Sequence, residues 1–280
     1  MIGGWLVYNL QISHRHGFTV QRCDGGTLLR LTVLGSSAAY PGPNTPCSGY
    51  LVQDEGRNIL LDCGTGTVGN LQTHIDLRQV NDIVISHMHA DHFLDLIPYR
   101  YALRYGFNGL RQERPRLYLP PGGMKMINEV VRPFSESEAF FSEVFDISEY
   151  DSQRPLRLGN ATVEFRPVKH YIPTYGLWIS GSKKIAYSSD SGACPELKEI
   201  AEAADLLLCT VGRCLGADAD HLWGHLLPQE AGQLARDAGV KRLLLTHLWP
   251  TCDSSKVSLE ASEAMGQAVD VAEVNRTYLA

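Results

Sequence analysis

Apolar positions fall in short runs separated by polar, Gly-rich and Pro-rich breaks. Leu28 to Leu34 is Leu- and β-branched-rich and predicts a strand. Tyr50 to Gln53 and Asn58 to Asp62 predict two more around the turn Asp54-Glu55-Gly56. Thr65 to Ile75 predicts a short helix, and Asp82 to Ser86 a buried strand. Asp91 to Tyr105 reads as one helix, which Pro98 should kink unless it lies near an end. Leu117 to Leu119 predicts a strand, and 122–149 reads as mostly helical with breaks. The grammar then returns, with strands at Thr162 to Val168, Tyr175 to Ser180 and Lys184 to Ser188. A helix at Pro195 to Ala203 carries proline in its first turn, and a strand follows at Leu206 to Val211. Pro228 to Ala238 is a helix closed by Gly239, Leu243 to Thr246 a strand, and Ser254 to Met265 a helix. No low-complexity linker divides these elements. The alternation predicts one α/β unit over 27–280, two sheets with helices outside. Residues 1–26 do not share the pattern and are expected to form an N-terminal extension. In it, His14 and His16 read as solvated side chains rather than ligands.

Composition narrows the class. The chain has 280 residues, 44% hydrophobic and 20% charged, which excludes disordered and fibrous proteins. Lys and Arg total 25 against 31 Asp and Glu, a net charge of −6, so no overall basic footprint for nucleic acid is present. The longest apolar run, Ala204 to Val211, contains Asp205 and is too short to span a bilayer. Met1 to Leu10 lacks the basic flank and small-residue cleavage site of a signal peptide. Seven scattered cysteines without a CxxC pair are expected to be reduced thiols, in keeping with a cytoplasmic location.

The candidate chemistry is concentrated in His87-Met88-His89-Ala90-Asp91-His92, three of the ten histidines in six residues. The run follows the apolar strand Ile83-Val84-Ile85 and opens a helix, which is where α/β sheets place ligands. Imidazole and carboxylate together suit Zn, Fe or Mn. Four such donors on one short loop point to two metals.

The HxHxDH run resembles the signature of the metallo-β-lactamase fold superfamily, and the likeness extends over about residues 28–280. Leu60 to Gly66 resembles that superfamily's DxGxG element. His170 matches its next ligand histidine, and His247, after Leu243-Leu244-Leu245-Thr246, its last. Asp190, in Ser188-Ser189-Asp190-Ser191-Gly192, resembles the aspartate of its GDT-type motif, with Ser in place of both Gly and Thr. The resemblance implies a four-layer αββα sandwich. It implies one metal on His87, His89 and His170, a second on Asp91, His92 and His247, and Asp190 bridging. Two divalent ions, zinc first with manganese or iron as alternatives, would share a hydroxide able to attack an electrophile near neutral pH. Asp91 would also orient the attacking water, and Asp62 would fix histidine tautomers.

Within the superfamily, an aspartate at the bridging position resembles the phosphodiesterase, nuclease and glyoxalase branches. His225, in Gly224-His225-Leu226-Leu227-Pro228 ahead of a helix, matches the histidine with which ribonuclease Z-like phosphodiesterases stabilise the transition state or the leaving oxygen. His170 and Asp190 are 20 positions apart, too close for the long substrate arm of tRNA-processing members. What remains is similar to a smaller branch of actinobacterial and Bacillus-type phosphodiesterases, some acting on cyclic nucleotides. This chain departs from it in having Thr210, in Cys209-Thr210-Val211, where that branch often has Glu. The expected activity is therefore phosphodiester hydrolysis of a small cyclic nucleotide, with Asp91 and His225 catalytic. An RNA 3′-end nuclease, a thioester or lactone hydrolase and a non-catalytic metal protein are the alternatives. Neither a membrane nor a nucleic-acid partner is favoured, and homodimers are common in the resembled group. Arg100 and Arg104 are weak candidates to hold a phosphate, Ser36 and Ser37 to line the pocket, and His221 to reach its mouth.

Overall fold

The computed structural model describes residues 29–107, 113–135, 137, 139–213 and 223–280. The extension predicted over 1–26, including His14 and His16, lies outside them, as does His221. The first sheet is built from β1 (Arg30–Gly35), β2 (Gly49–Asp54), β3 (Arg57–Leu61), β4 (Asp82–Val84), β5 (Arg116–Leu119), β6 (Asp146–Glu149) and β14 (Thr277–Leu279), in the order β14-β1-β2-β3-β4-β5-β6. The second comprises β7 (Leu156–Leu158), β8 (Ala161–Pro167), β9 (Tyr175–Ser180), β10 (Lys184–Tyr187), β11 (Leu206–Thr210), β12 (Leu243–Thr246) and β13 (Asp270–Val271), in the order β13-β12-β11-β10-β9-β8-β7. Both sheets are mixed: β3, β4, β5 and β6 run parallel, as do β10, β11, β12 and β13, and the remaining pairs are antiparallel.

The period-2 alternation of the strands distributes their side chains between layers. Ile59 and Leu61 of β3, Val163 and Phe165 of β8, and Leu206 and Leu208 of β11 all enter one core that joins the two sheets face to face. Leu60, one residue out of step, packs outward with Leu117 against α1 (Thr67–His74), α3 (Leu96–Tyr105) and α4 (Gly123–Val131). Leu207 and Cys209 do the same against α5 (Glu196–Ala201), α6 (Pro228–Asp237) and α7 (Ser254–Met265). The result is the expected αββα sandwich. Gly232 lets α6 and α7 approach closely, since a Cβ there would lie 2.3 Å from the Ala261 carbonyl.

Several expectations need correction. The helix predicted over Asp91 to Tyr105 is two, α2 (Ala90–Phe93) and α3, broken at Leu94 and Asp95. Pro98 falls in the first turn of α3, where its missing N–H costs no helical bond. The helix breaks there because the Asp95 backbone N–H donates to Cys63 O (3.0 Å) rather than four residues back, while the Asp95 carboxylate accepts from Val68 N at the start of α1 (2.9 Å). The stretch 122–149 holds one helix, α4, then turns, and ends in β6. β7, β13 and β14 span two or three residues, too few to show a period. Cys252 is disulfide-bonded rather than a thiol, whereas Cys47, Cys63, Cys194 and Cys209 are free. No helix among the described residues is long and apolar enough to cross a membrane.

Candidate metal centre

The predicted donors lie just beyond strand ends on one edge of the sandwich. Asp62 follows β3, His87 to His92 follow β4, His170 follows β8, Asp190 follows β10 and His247 follows β12. The structure brings all seven candidate ligands into two adjoining sets. In the first, His89 Nδ1 lies 3.2 Å from His87 Nε2 and 3.1 Å from His170 Nε2. Asp190 Oδ2 is 3.8 and 3.9 Å from the same two Nε2 atoms. In the second, His247 Nε2 lies 3.3 Å from His92 Nε2 and 3.2 Å from Asp91 Oδ2. Asp190 Oδ2 stands 3.3 Å from His247 Nε2 and 3.4 Å from His92 Nε2, so one oxygen belongs to both sets.

A divalent ion fits these donors. The outer nitrogens of three histidines are committed as donors: His92 Nδ1 to Asp62 Oδ2 (2.8 Å), His170 Nδ1 to Gly224 O (2.8 Å) and His87 Nδ1 to Ser86 Oγ (3.0 Å). The Ser86 hydroxyl is itself spent on Asp62 Oδ2 (2.9 Å), so it accepts from His87. Each of these rings therefore turns a bare Nε2 inward. Bare nitrogens some 3 Å apart repel unless a cation lies between them. Four ligands held tetrahedrally at zinc distances would be separated by about 3.3 Å, close to most of the spacings found.

Asp62 anchors this arrangement. Fully buried, its carboxylate accepts from Ser86 N (2.7 Å), Ser86 Oγ, His92 Nδ1 and Tyr187 OH (2.8 Å). Tyr187 and Ser86 had no sequence signal of their own beyond adjacency to the motifs. The next residues brace the histidine loop, with Cys63 N donating to His92 O (2.7 Å) and Asp95 N to Cys63 O (3.0 Å). Gly64 is required there, since a Cβ would sit 1.9 Å from the Asp91 carbonyl. Asp62, Ser189 and His247 all adopt left-handed φ, of +55°, +52° and +59°. Three non-glycine residues in that region at one site mark stored backbone strain. For Ser189 it also explains why the resembled motif has Gly. Here the Ser189 carbonyl is held by the hydroxyls of Ser188 and Thr210, each at 2.8 Å. Thr210, where the resembled branch often has Glu, thus props the turn that delivers Asp190.

Charge follows burial and neighbours. Burial disfavours a charged His92, but with no cation among the donors Asp190, Asp91 and Asp62 outweigh it and hold the ring well above its ordinary value, drawing a proton to the place where an ion would supply the positive charge. Burial, reinforced by the neighbouring His92, pushes His87 well below its own. Burial would also raise Asp190, yet the facing His247 and His92 hold its carboxyl well below the usual range.

His225 also joins the cluster, with a ring nitrogen within 4.8 Å of donor atoms of Asp190 and His247. Its ring stacks on His247 at 5.5 Å and meets His170 edge-on at 5.0 Å. The weaker candidates are employed elsewhere. Arg100 is buried and donates to Phe140 O (2.9 Å) and Glu143, and Arg104 donates to the same carboxylate (2.8 Å). Ser36 Oγ reaches Ala272 O (3.4 Å), and Ser37 Oγ donates to Thr45 O (3.0 Å) inside its own loop.

An αββα sandwich with a His/Asp cluster at the strand ends defines a metallo-β-lactamase-type protein. The sequence model of the beta-lactamase superfamily domain matches residues 57–248. The chain belongs to this superfamily of metallo-hydrolases. It is 32% identical to an uncharacterised protein of Mycobacterium tuberculosis, over 92% of this chain and 95% of that one. Ribonuclease Z of Myxococcus xanthus is 29% identical, over 88% of this chain and 96% of that protein. The crystal structure of the metallo-β-lactamase fold protein YhfI from Bacillus subtilis superposes with a TM-score of 0.80 at 25% identity, covering 90% of this chain and 100% of that one.

Proposed function

We propose that the chain is a dinuclear metal-dependent phosphodiesterase acting on a small cyclic nucleotide of the 3′,5′-cyclic AMP type. The observation that carries this reading is Asp190 Oδ2, common to two converging donor sets. His87, His89 and His170 would hold one divalent ion and Asp91, His92 and His247 the other, with Asp190 between them. The donor chemistry suits zinc, with manganese and iron as alternatives. Bound, the ions would supply Lewis acidity and a water acidified toward neutrality.

The chain's own residues orient and complete the reaction. Ala39 N donates to Asp91 Oδ2 (2.8 Å), fixing the carboxylate that would align the attacking water. His225 is buried, and burial pulls its pKa down to about 4, so it is neutral at neutral pH. Its Nδ1 is buried without a partner, which leaves Nε2 as the nitrogen that, protonated, would donate to the substrate. In that state it serves as a hydrogen-bond donor to a phosphoryl or departing oxygen rather than as a strong acid. The interval from His170 to Asp190 is filled by the β9–β10 hairpin, and the net charge is −6; both support a small substrate over tRNA. The ribonuclease Z relative supports, as the second reading, an RNA 3′-end nuclease.

The test is His225→Ala, assayed on 3′,5′-cyclic AMP with metal content measured. Loss of a transition-state donor lowers kcat about 100- to 1000-fold while both ions stay bound. Unchanged turnover would refute the role, and loss of an ion would make His225 a ligand instead.

A further inference from the structure

Among the described residues, large exposed aromatic side chains occur in three regions, one of them Tyr40 against Trp249. Along α3 and beyond α4 stand Tyr101, Tyr105 and Phe134, with nothing to show what covers them. The other pair flanks the candidate metal centre. Tyr171 is 40% and Trp223 46% exposed, and their rings meet at 4.7 Å. Neither is a loose surface ring. Tyr171 stands 4.7 Å from the His170 ring and 6.0 Å from His225, and its hydroxyl accepts from Gly224 N (3.3 Å). Gly224 is the same residue whose carbonyl fixes His170. A Cβ there would lie 2.8 Å from His170 Nδ1 and 2.9 Å from the Tyr171 ring, so the tyrosine is packed against the histidine's backbone anchor.

The position is informative. His89 is half-buried, whereas the side chains of His87, His92, His170, Asp190 and His247 are buried, and the exposed Tyr171 and Trp223 lie between His170 and solvent. The pair therefore stands on the cluster's accessible side. Lys169 Nζ lies 5.9 Å from the Trp223 ring centroid and adds positive charge beside the platform. Fixed aromatic faces with a cation beside them stack nucleobases of any sequence.

We infer that Tyr171 and Trp223 form a stacking platform for the base of the substrate, so that the site selects nucleotide phosphodiesters over those without a planar ring. The inference rests on the phosphodiesterase reading above. Tyr171 and Trp223 determine specificity, and neither touches the reacting atoms.

The experiment compares metal-loaded wild type, Trp223→Ala and Trp223→Phe on 3′,5′-cyclic AMP and on the base-free ribose 3,5-cyclic phosphate. The ratio of the two kcat/KM values should fall about 5- to 100-fold in Trp223→Ala, chiefly through KM for the nucleotide, and recover in Trp223→Phe. In parallel, AMP and ribose 5-phosphate are titrated into the same metal-loaded proteins while intrinsic fluorescence is read. AMP should quench the wild type and leave Trp223→Ala nearly unchanged, and ribose 5-phosphate should quench neither. If neither ester turns over but AMP quenches through Trp223, the phosphodiesterase reading fails and the platform stands. An unchanged kcat/KM ratio, or equal quenching by AMP in Trp223→Ala, overturns the platform.

Discussion

Replacing Asp62 with asparagine probes how the chain sets the state of its donors. The carboxylate takes four hydrogen bonds, three of them at Oδ2, from His92 Nδ1, Ser86 Oγ and Tyr187 OH. Turned with its NH2 toward them, an asparagine amide meets three donors and accepts from none; turned the other way, its NH2 meets the Ser86 backbone N–H and His92 loses its charged acceptor. Serine and tyrosine hydroxyls can rotate to become acceptors. His92 can do so only by moving its proton to Nε2, the atom that faces His247 and Asp190. That proton would occupy the lone pair required for metal binding. Undoing this forfeits one charge-assisted bond, about 1.5–3 kcal/mol, or roughly a 10- to 100-fold weaker hold on the ion shared with Asp91 and His247. Competition against a chromogenic chelator, with total metal counted by plasma mass spectrometry, resolves the two sites. One ion should weaken by that factor while the ion on His87, His89 and His170 is nearly unaffected. Asp62→Asn holding both ions as tightly as the wild type would refute the tautomer argument.

Arg100→Met removes a buried guanidinium from Phe140 O and Glu143. It should cost about 2 kcal/mol, lowering the melting temperature by about 5 °C, with phosphodiester turnover unaltered; a selective rise in KM would restore Arg100 as a phosphate contact. Burial pushes the Cys209 thiol up to about 12 from 9.0, so native Cys209 carries about 1000-fold less thiolate at pH 8 than an ordinary cysteine. Because a raised thiol pKa means less thiolate at every pH below it, iodoacetamide at pH 8 should modify Cys209 only after denaturation, read by peptide mass spectrometry. Rapid labelling of the native protein would show that β11 opens.

Much of this was visible in the residues because the relevant signals are local. HxHxDH sits where an apolar strand ends, and strand ends in α/β sheets gather at one edge, so the donors converge without knowledge of the long-range pairing. The order of the longer strands and helices followed from period and breaks, whereas β6, β7, β13 and β14 did not show. What escaped depends on tertiary context. The break at Asp95 goes with a backbone bond to Cys63, in the loop after β3. The anchoring of Asp62 by Tyr187 spans 125 positions, and Arg100 is committed to Glu143, 43 positions on. The left-handed Ser189 is invisible because serine gives no hint of φ, and its support comes from Thr210 across the sheet. Tyr171 and Trp223 lie in irregular segments with no period to distinguish a platform from an ordinary surface pair.

Two ions driving phosphodiester cleavage are the centre of the proposed function. The deciding measurement is hydrolysis of bis-p-nitrophenyl phosphate and 3′,5′-cyclic AMP by protein of known metal content, with and without chelator. About two divalent ions per chain, with turnover of both esters abolished by chelator and restored by zinc or manganese, is the predicted result. Two ions bound with neither ester cleaved, or cleavage that survives complete removal of metal, would contradict it.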